Sequence, residues 1–163
     1  MPSLSIIVEC STGINGLVLG ETVRGCNIIA HVERMYATDP DRPFLFVWVT
    51  SDDTVAVQSR MDRDPTVTGV QRLDVVGDHQ LYRLRATAAT EVVLYRTCVE
   101  LGGQGLQRYY RNNRCHFRSR FPDRDAFASF RSFIIENGLA FELHTLYDGA
   151  EVPTPPENPD GLT

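Results

Sequence analysis

The chain has 163 residues, 42% of them hydrophobic, and a net charge of −5 at pH 7, a composition that suits one α+β domain with a sizeable core. No apolar run approaches the roughly 20 residues that cross a bilayer, and the N-terminus lacks a signal-peptide pattern, so we expect a soluble, cytoplasmic protein without a membrane partner. The acidic surplus also argues against non-specific nucleic-acid binding, because attraction to phosphates requires a positive field.

Three β-rich segments open the chain. The segments from Leu4 to Cys10 and from Asn27 to Ala37 predict strands, with a short helix or loop over Leu17 to Val23 between them. The next strand, 44–50, is apolar on both faces, since Leu45, Val47 and Val49 alternate with Phe44, Phe46 and Trp48. A strand of this kind is covered on both sides. We therefore expect helices on one face and the N-terminal segment over part of the other.

From residue 44 onward, the sequence repeats at a spacing of about 35 residues. At this offset Val47, Tyr82 and Phe117 coincide, as do Trp48, Arg83 and Arg118. Each unit begins as a strand, continues through a polar cap into a helix and closes on a second strand. The sequence thus predicts three strand-helix-strand units, at about 44–76, 79–111 and 114–147.

Local signals place the helices and turns of these units. We expect helices near 53–63, 90–101 and 124–137, preceded by the capping residues Asp52-Asp53-Thr54, Thr90-Glu91 and Asp123. Gly77-Asp78 and Asn112-Asn113 predict hairpin turns between units. The order β-α-β-β-α-β is ferredoxin-like, or ACT-like. The predicted fold is therefore an α+β domain over residues 1–147, with a mostly antiparallel sheet and helices mainly on one face.

The C-terminal segment 148–163 differs in composition from the rest. It holds four of the nine prolines and shows no apolar period. Prolines remove amide donors and favour extended chain. We expect this segment to be a flexible linker that packs little, or only against a neighbouring chain.

No combination of residues predicts catalysis. The four cysteines form no Cys-x-x-Cys pair, and the four histidines are scattered, so neither a metal nor another cofactor is expected. The acidic pairs Asp52-Asp53 and Asp123/Asp125 stand at helix starts, where capping and the helix dipole favour them. We therefore expect that the protein is not an enzyme.

The segment from Gln107 to Arg124 is the most distinctive part of the chain. It holds six of the 16 basic residues, all of them arginines, interleaved with aromatic residues. This composition is found in nucleic-acid-binding hairpins. Alternation along 114–121 also fits an ordinary half-buried strand, with arginines on one face. An anion, cofactor or partner site is the third interpretation.

The repeat register selects one set of candidate site residues. If the units share a sheet, the following side chains project from one face, opposite the helices: Trp48, Arg83, Arg85, Arg118 and Arg120. Three interpretations stay open: a site for a small anionic aromatic ligand, a homodimer interface, or a face covered by the N-terminal strands.

Several segments together form a recognisable pattern. The most specific is Phe117 to Phe130, which reads FRSRFPDRDAFASF. The others are Ser5–Glu9, Leu19–Val23, Val32–Arg34, Val47–Val49, Asp52-Asp53, Val70–Asp74, Leu81–Arg83, Gly138-Leu139, Phe141–Leu143 and Leu146-Tyr147. In this order, the segments resemble the GAF-and-helix-turn-helix-associated domain of haloarchaeal regulators of the bacterio-opsin-activator type.

The resemblance implies transcription regulation by a domain that precedes a C-terminal helix-turn-helix. In such regulators the helix-turn-helix starts near a Gly-Leu-Thr segment, and this chain ends at Gly161-Leu162-Thr163. We therefore expect DNA to be a partner only through a domain outside this chain, and the chain itself to bind operator DNA weakly. The family pattern implies no particular ligand residues.

The leading hypothesis is a sensing or dimerising domain that regulates an attached DNA-binding unit. One alternative is a free-standing ACT-like small-molecule-binding domain. Another is an RNA-binding module that uses the arginine-rich hairpin.

Overall fold

The computed structural model describes residues 5–36, 42–90 and 92–148, apart from the side chains of residues 34–36 and 54. It is an α+β structure in which the described part forms an eight-stranded antiparallel sheet and four helices. The elements in chain order are β1 (Ile6–Thr12), α1 (Gly20–Val23), β2 (Ile29–Tyr36), β3 (Phe44–Thr50), α2 (Thr54–Arg63), β4 (Val67–Val76), β5 (His79–Ala86), α3 (Leu94–Glu100), β6 (Gln104–Arg111), β7 (Arg114–Phe121), α4 (Arg124–Glu136) and β8 (Phe141–Asp148).

The chain divides into two halves of equal topology, β1 to β4 and β5 to β8, each with the order β-α-β-β-α-β. The sheet order is β4-β5-β3-β2-β6-β7-β1-β8. The first strand of each half is therefore inserted into the other: β5 lies between β4 and β3, and β1 lies between β7 and β8. The result is a pair of ferredoxin-like halves that have exchanged strands.

A tight turn explains this exchange. Gly77-Asp78 joins β4 to β5, and Gly77 has a φ of 62°, the left-handed conformation that two-residue hairpin turns require. Such a turn leaves β5 no place except beside β4. The Asn112-Asn113 turn between β6 and β7 follows the same rule, with φ of 52° and 60°. Both predicted hairpins are confirmed.

The strand register shows that residues 35 positions apart are not always equivalent in the fold. Val47 pairs with Tyr82 across β3 and β5, and Phe117 pairs with Cys10 across β7 and β1. Val47 and Phe117 are thus equivalent positions of the two halves, whereas Tyr82 is the cross-strand neighbour of Val47.

The equivalence of the three predicted units is not confirmed. In the sheet, one strand (β5) lies between β3 and β4 of the first unit, and one strand (β1) lies between β7 and β8 of the third unit. Two strands, β3 and β2, lie between β5 and β6 of the second unit.

The individual strands and helices occur close to where the sequence predicts them. The helices near 53–63 and 124–137 begin at caps in which Asp53 and Asp123 accept from the amides of Ala56 and Ala126, at 3.0 and 2.8 Å. The third helix begins later than expected, with Val93 as an N-cap that makes no side-chain bond.

The core lies between the helices and one face of the sheet. Alternate residues of β3, β5 and β7 on this face are buried, and they join the inward residues of the helices in one cluster. For example, Phe130 of α4 packs against Phe117 and Phe121 of β7, with ring centroids 5.7 and 5.1 Å apart. The expected placement of Val47, Tyr82 and Phe117 on the helix side is confirmed.

On the face of the sheet away from the helices, two expectations from the sequence are wrong. Phe44, Phe46 and Trp48 are only half-buried, so β3 is not covered on both sides. The N-terminal strand β1 does not lie over this face, because it pairs in the plane of the sheet with β7 and β8. A strand with two apolar faces can thus leave one of them accessible.

The predicted linker at 148–163 lies outside the described residues, except for Asp148, which ends β8. Among the described residues, no helix has the length and apolar character needed to cross a membrane.

Candidate functional site

A cavity of about 380 Å³ opens on the helix side of the second half. Leu94, Tyr95, Cys98 and Val99 of α3 form one wall, and Phe130 of α4 forms another. The floor is the sheet, with residues of β2, β6 and β7: Val32, Glu33, Gln104, Gly105, Leu106, Gln107, Arg108, Phe117 and Ser119, next to Gly103. Its size and largely apolar lining are typical of small-molecule sites.

Arg108 brings a positive charge to the floor of this cavity. It stands opposite Phe117 in the β6–β7 register, which aims its side chain at the helices. One terminal nitrogen donates to the Tyr110 hydroxyl at 2.7 Å, and the guanidinium carbon lies 5.5 Å from the centre of the Tyr110 ring. The Nε of Arg108 is shielded from solvent and has no hydrogen-bond partner among the described residues.

The polar neighbours of Arg108 are neutral. Burial raises the pKa of the Tyr110 hydroxyl and of the Cys115 thiol, although the guanidinium beside them opposes the rise. Burial also raises the pKa of Cys98 to about 11, against smaller opposing effects of Ser119 and Arg108. These groups therefore hold their protons at neutral pH and supply no counter-charge to the guanidinium.

The helices of the first half are packed together. Arg60 of α2 reaches α1, where its Nε donates to the Thr22 carbonyl oxygen at 2.7 Å. The loop before α1 adds Leu17, Val18 and Leu19, all buried. Among the described residues, α3 and α4 of the second half make no comparable contact. The two halves thus share a topology but differ in how closely their helices pack.

The sequence-predicted site residues all lie on the open face of the sheet, in two separate groups. On β5, which is inserted between β4 and β3, Arg83 and Arg85 place their guanidinium carbons over the ring of Phe44, at 4.5 and 4.9 Å from its centre. Trp48 is on the neighbouring strand, paired with Leu81. This group combines cations with exposed aromatic surface.

The remaining predicted arginines lie on β7. The Nε of Arg118 lies 3.8 Å from the Glu9 carboxylate, and Arg120 donates to the Ser5 hydroxyl at 2.9 Å. Four inter-strand steps separate β5 from β7, so Arg83 and Arg118 are about 19 Å apart. The structure therefore does not bring the five residues together into one small-molecule site.

A row of rings crosses the open face of the second half. His116 stacks on Tyr109 at a centroid distance of 4.8 Å, and His144 follows at 6.2 Å. Burial lowers the pKa of His116, and the nearby His144 and arginines lower it further, so the ring is neutral at pH 7. A second, more polar cavity of about 320 Å³ lies beside this row, lined by Glu9, Gln107, Arg118 and these rings among others.

Sequence reasoning missed Arg108 as a site residue because its direction depends on a bulge. The β6–β7 register shifts between Gly105 and Gln107, which changes which residues of β6 face the helices. The available signal was the high arginine content of the segment from Gln107 to Arg124. Within the described part of the chain, no group of three or more metal-ligating side chains comes together, and all four cysteines are free thiols.

Comparison with known proteins gives one family. Residues 15–145, which run from the loop before α1 into β8, match the family model described as "BAT: GAF and HTH_10 associated domain". A search of curated proteins finds no match.

Proposed function

This chain belongs to the BAT family, the GAF and HTH_10 associated domains, and we propose that it is the sensing domain of a helix-turn-helix transcription regulator. The family is one associated with such regulators, which supports a regulatory role. The sensing role rests on the cavity between α3 and α4, which we propose as the place where a small molecule binds.

One observation carries this proposal: the two helices of the first half are in contact, whereas those of the second half leave an open groove beside Arg108. The groove leaves apolar side chains such as Val99 and Leu106 exposed. A ligand that covers them removes apolar area from water, which is favourable. We therefore interpret the groove as a binding site.

The position of the cavity suggests how ligand binding affects an attached DNA-binding domain. Phe130 of α4 forms part of the cavity wall, and α4 leads directly into β8, the last described strand. A ligand that packs against Phe130 changes the preferred position of α4 relative to the sheet. A ligand regulates only when it binds two states with different affinity, and α4 is the element we propose to differ between them.

The test uses a regulator in which this chain is joined to a helix-turn-helix domain, with transcription of a target gene as the readout. Gly105 lies on the cavity floor, and a Cβ added there meets no atom within 4 Å. The Gly105→Trp variant is therefore expected to fill the cavity while the fold is kept, and to fix transcription at one level. The matched control is Thr68→Trp, at an exposed position of β4. A Gly105→Trp variant that folds and still responds like the wild type would contradict the proposal.

Three sequence-based expectations stay predictions. They are the absence of enzymatic activity, the homodimer and the cytoplasmic location. The homodimer is measured by light scattering at several protein concentrations. The alternative RNA-binding module predicts a salt-dependent shift with single-stranded RNA.

A further inference from the structure

We infer that the ligand of the α3–α4 cavity is a small amphipathic monoanion, with one carboxylate-like group held by Arg108 and an apolar body between α3 and α4. This inference rests on the proposed function for its site and adds the chemical class of the ligand.

Among the described residues, Arg108 has no counter-ion. An arginine side chain remains protonated in proteins and offers five N–H donors. Tyr110 accepts one of these bonds, and the shielded Nε donor has no partner among the described residues. No described carboxylate lies within ion-pair distance of Arg108, and Tyr110, Cys98 and Cys115 are neutral. The side chain is only partly exposed, so water compensates its charge incompletely, and an anion that accepts from its remaining donors stabilises it.

The charges that line the cavity favour a ligand with a single negative charge. Arg108 is the one cation that lines the cavity within the described residues, and exposed Glu33 is the one carboxylate. A ligand with two negative charges would meet a single cation and the repulsion of Glu33. A monoanion balances the guanidinium alone, and the planar geometry of a carboxylate matches two of its N–H donors.

The apolar lining of the cavity favours a ligand with an apolar body. Leu94, Val99 and Phe130 in the walls and Phe117 in the floor give the lining its apolar character. Val99 is 51% exposed and Leu106 is 40% exposed at the cavity. Burying these side chains against an apolar ligand is favourable in proportion to the area removed from water. A purely ionic ligand would leave this surface wet, so inorganic anions fit the cavity poorly.

The experiment measures binding of defined probes to the full chain by calorimetry. The probes are hexanoate, decanoate and phenylacetate, which separate aliphatic from aromatic bodies, and each is compared with its neutral alcohol and its amine. We expect at least one carboxylate to bind more tightly than its alcohol by tenfold or more, and the amine not to bind. The Nε–H resonance of Arg108 is expected to shift with the same probe and not with inorganic phosphate.

Two variants locate the binding. Arg108→Met keeps an apolar side chain of similar length and removes the charge, and it should abolish the preference for carboxylate over alcohol. Gly105→Trp leaves Arg108 in place and should abolish binding of both. The matched control is Arg118→Met on the opposite face of the sheet, which should bind like the wild type.

The outcomes separate the two proposals. If alcohols bind as well as carboxylates and Gly105→Trp still blocks the response, the cavity senses a ligand but the monoanion inference is wrong. If carboxylate binding requires Arg108 but transcription ignores Gly105→Trp, the inference stands and the sensing function is wrong. If no carboxylate binds with a Kd below about 1 mM, or if Arg118→Met alone abolishes binding, the inference is overturned.

Discussion

The carboxylate of Asp64 accepts two hydrogen bonds from Thr22, one from its amide at 2.9 Å and one from its hydroxyl at 2.7 Å. Its other oxygen accepts from the amide and hydroxyl of Thr66, at 2.9 and 2.6 Å. This buried carboxylate thus has four donors, as a charge shielded from water requires. The bonds tie α1 to the residue that follows α2, and they help to close the first half where the second half has its cavity.

Asp64→Asn is expected to destabilise the protein. The new amide group replaces one acceptor oxygen with a donor that faces two other donors, which leaves buried N–H and O–H groups without acceptors. We expect the free energy of unfolding to fall by about 2–4 kcal/mol, measured by urea denaturation. Asp62→Asn is the control, since Asp62 is exposed on α2 and its one partner among the described residues is Gln58. This variant should change stability by less than about 0.5 kcal/mol. Equal losses in both variants would contradict this account.

Gly103 lies directly before β6 and Gly105 lies within it. We expect an added Cβ to affect stability differently at these two positions. A Cβ on Gly103 would lie 2.7 Å from the Cys98 sulfur, 2.9 Å from the Cys98 carbonyl oxygen and 3.0 Å from the Phe121 ring. Part of this contact is backbone and cannot move away. Gly103→Ala should therefore reduce the free energy of unfolding by about 1–3 kcal/mol. Gly105→Ala meets no atom within 4 Å and should be neutral or slightly stabilising. Urea denaturation of both variants tests the pair, and a stable Gly103→Ala variant would show that α3 can move away from β6.

Local signals in the sequence predicted the elements well. Asp53 and Asp123 cap helices, and Asn112-Asn113 turns a hairpin, because each of these effects acts within a few residues along the chain. The strand exchange could not be predicted in this way. The pairing of Ile6 with Phe121 joins residues far apart in the chain, and no local pattern selects one partner strand over another.

The candidate site was predicted less well, for a related reason. The 35-residue register treated Tyr82 as equivalent to Val47, although the two are cross-strand partners. The same register grouped Arg83 with Arg118, although three strands lie between β5 and β7 in the sheet. The cavity depends on helix packing and on the β6 bulge, neither of which leaves a periodic signal. Arg108 could only be found once the register was known.

The partly buried position of the His116 ring makes the stability of the fold depend on pH. Its folded-state pKa lies below the ordinary value of 6.5, because of burial first and then because of His144, Arg114 and Arg111, against an opposing effect of Glu142. The unfolded chain therefore binds the proton more tightly than the folded chain does. The stability that His116 contributes is fully present above pH 6.5, and it is lost as the pH falls from 6.5 through the folded-state pKa.

An NMR titration of the imidazole measures this effect, and we expect a midpoint below 6.5 for His116. His116→Gln should reduce the loss of unfolding free energy between pH 7 and pH 5. His79→Gln, at an exposed position on β5, is the comparison variant. A His116 midpoint at or above 6.5 would show that the ring is protonated as easily as in an unfolded chain.

The exchanged strands predict that the two halves unfold together. The sheet of the first half is completed by β5 from the second, and the sheet of the second is completed by β1 from the first, while β2 and β6 pair across the junction. Neither half can lose its core without withdrawing a strand from the other. The single Trp48, on β3, reports on the first half by fluorescence, and circular dichroism reports on the whole chain. We expect the two signals to follow one urea transition, as for a two-state domain.

A mutation in the second half tests directly whether the two halves unfold together. Phe121 is fully buried and packs on Phe127 and Phe130 of α4, so Phe121→Ala should reduce the free energy of unfolding by about 3–5 kcal/mol. Because β5 connects the halves, the Trp48 fluorescence transition should move to lower urea by the same amount as the dichroism signal, although Trp48 lies in the other half. Ile135→Ala, at an exposed position of α4, should move neither signal appreciably. A Trp48 transition that stays at its wild-type midpoint while the dichroism signal shifts would mean that the halves unfold independently, and the exchanged strands would then not couple them.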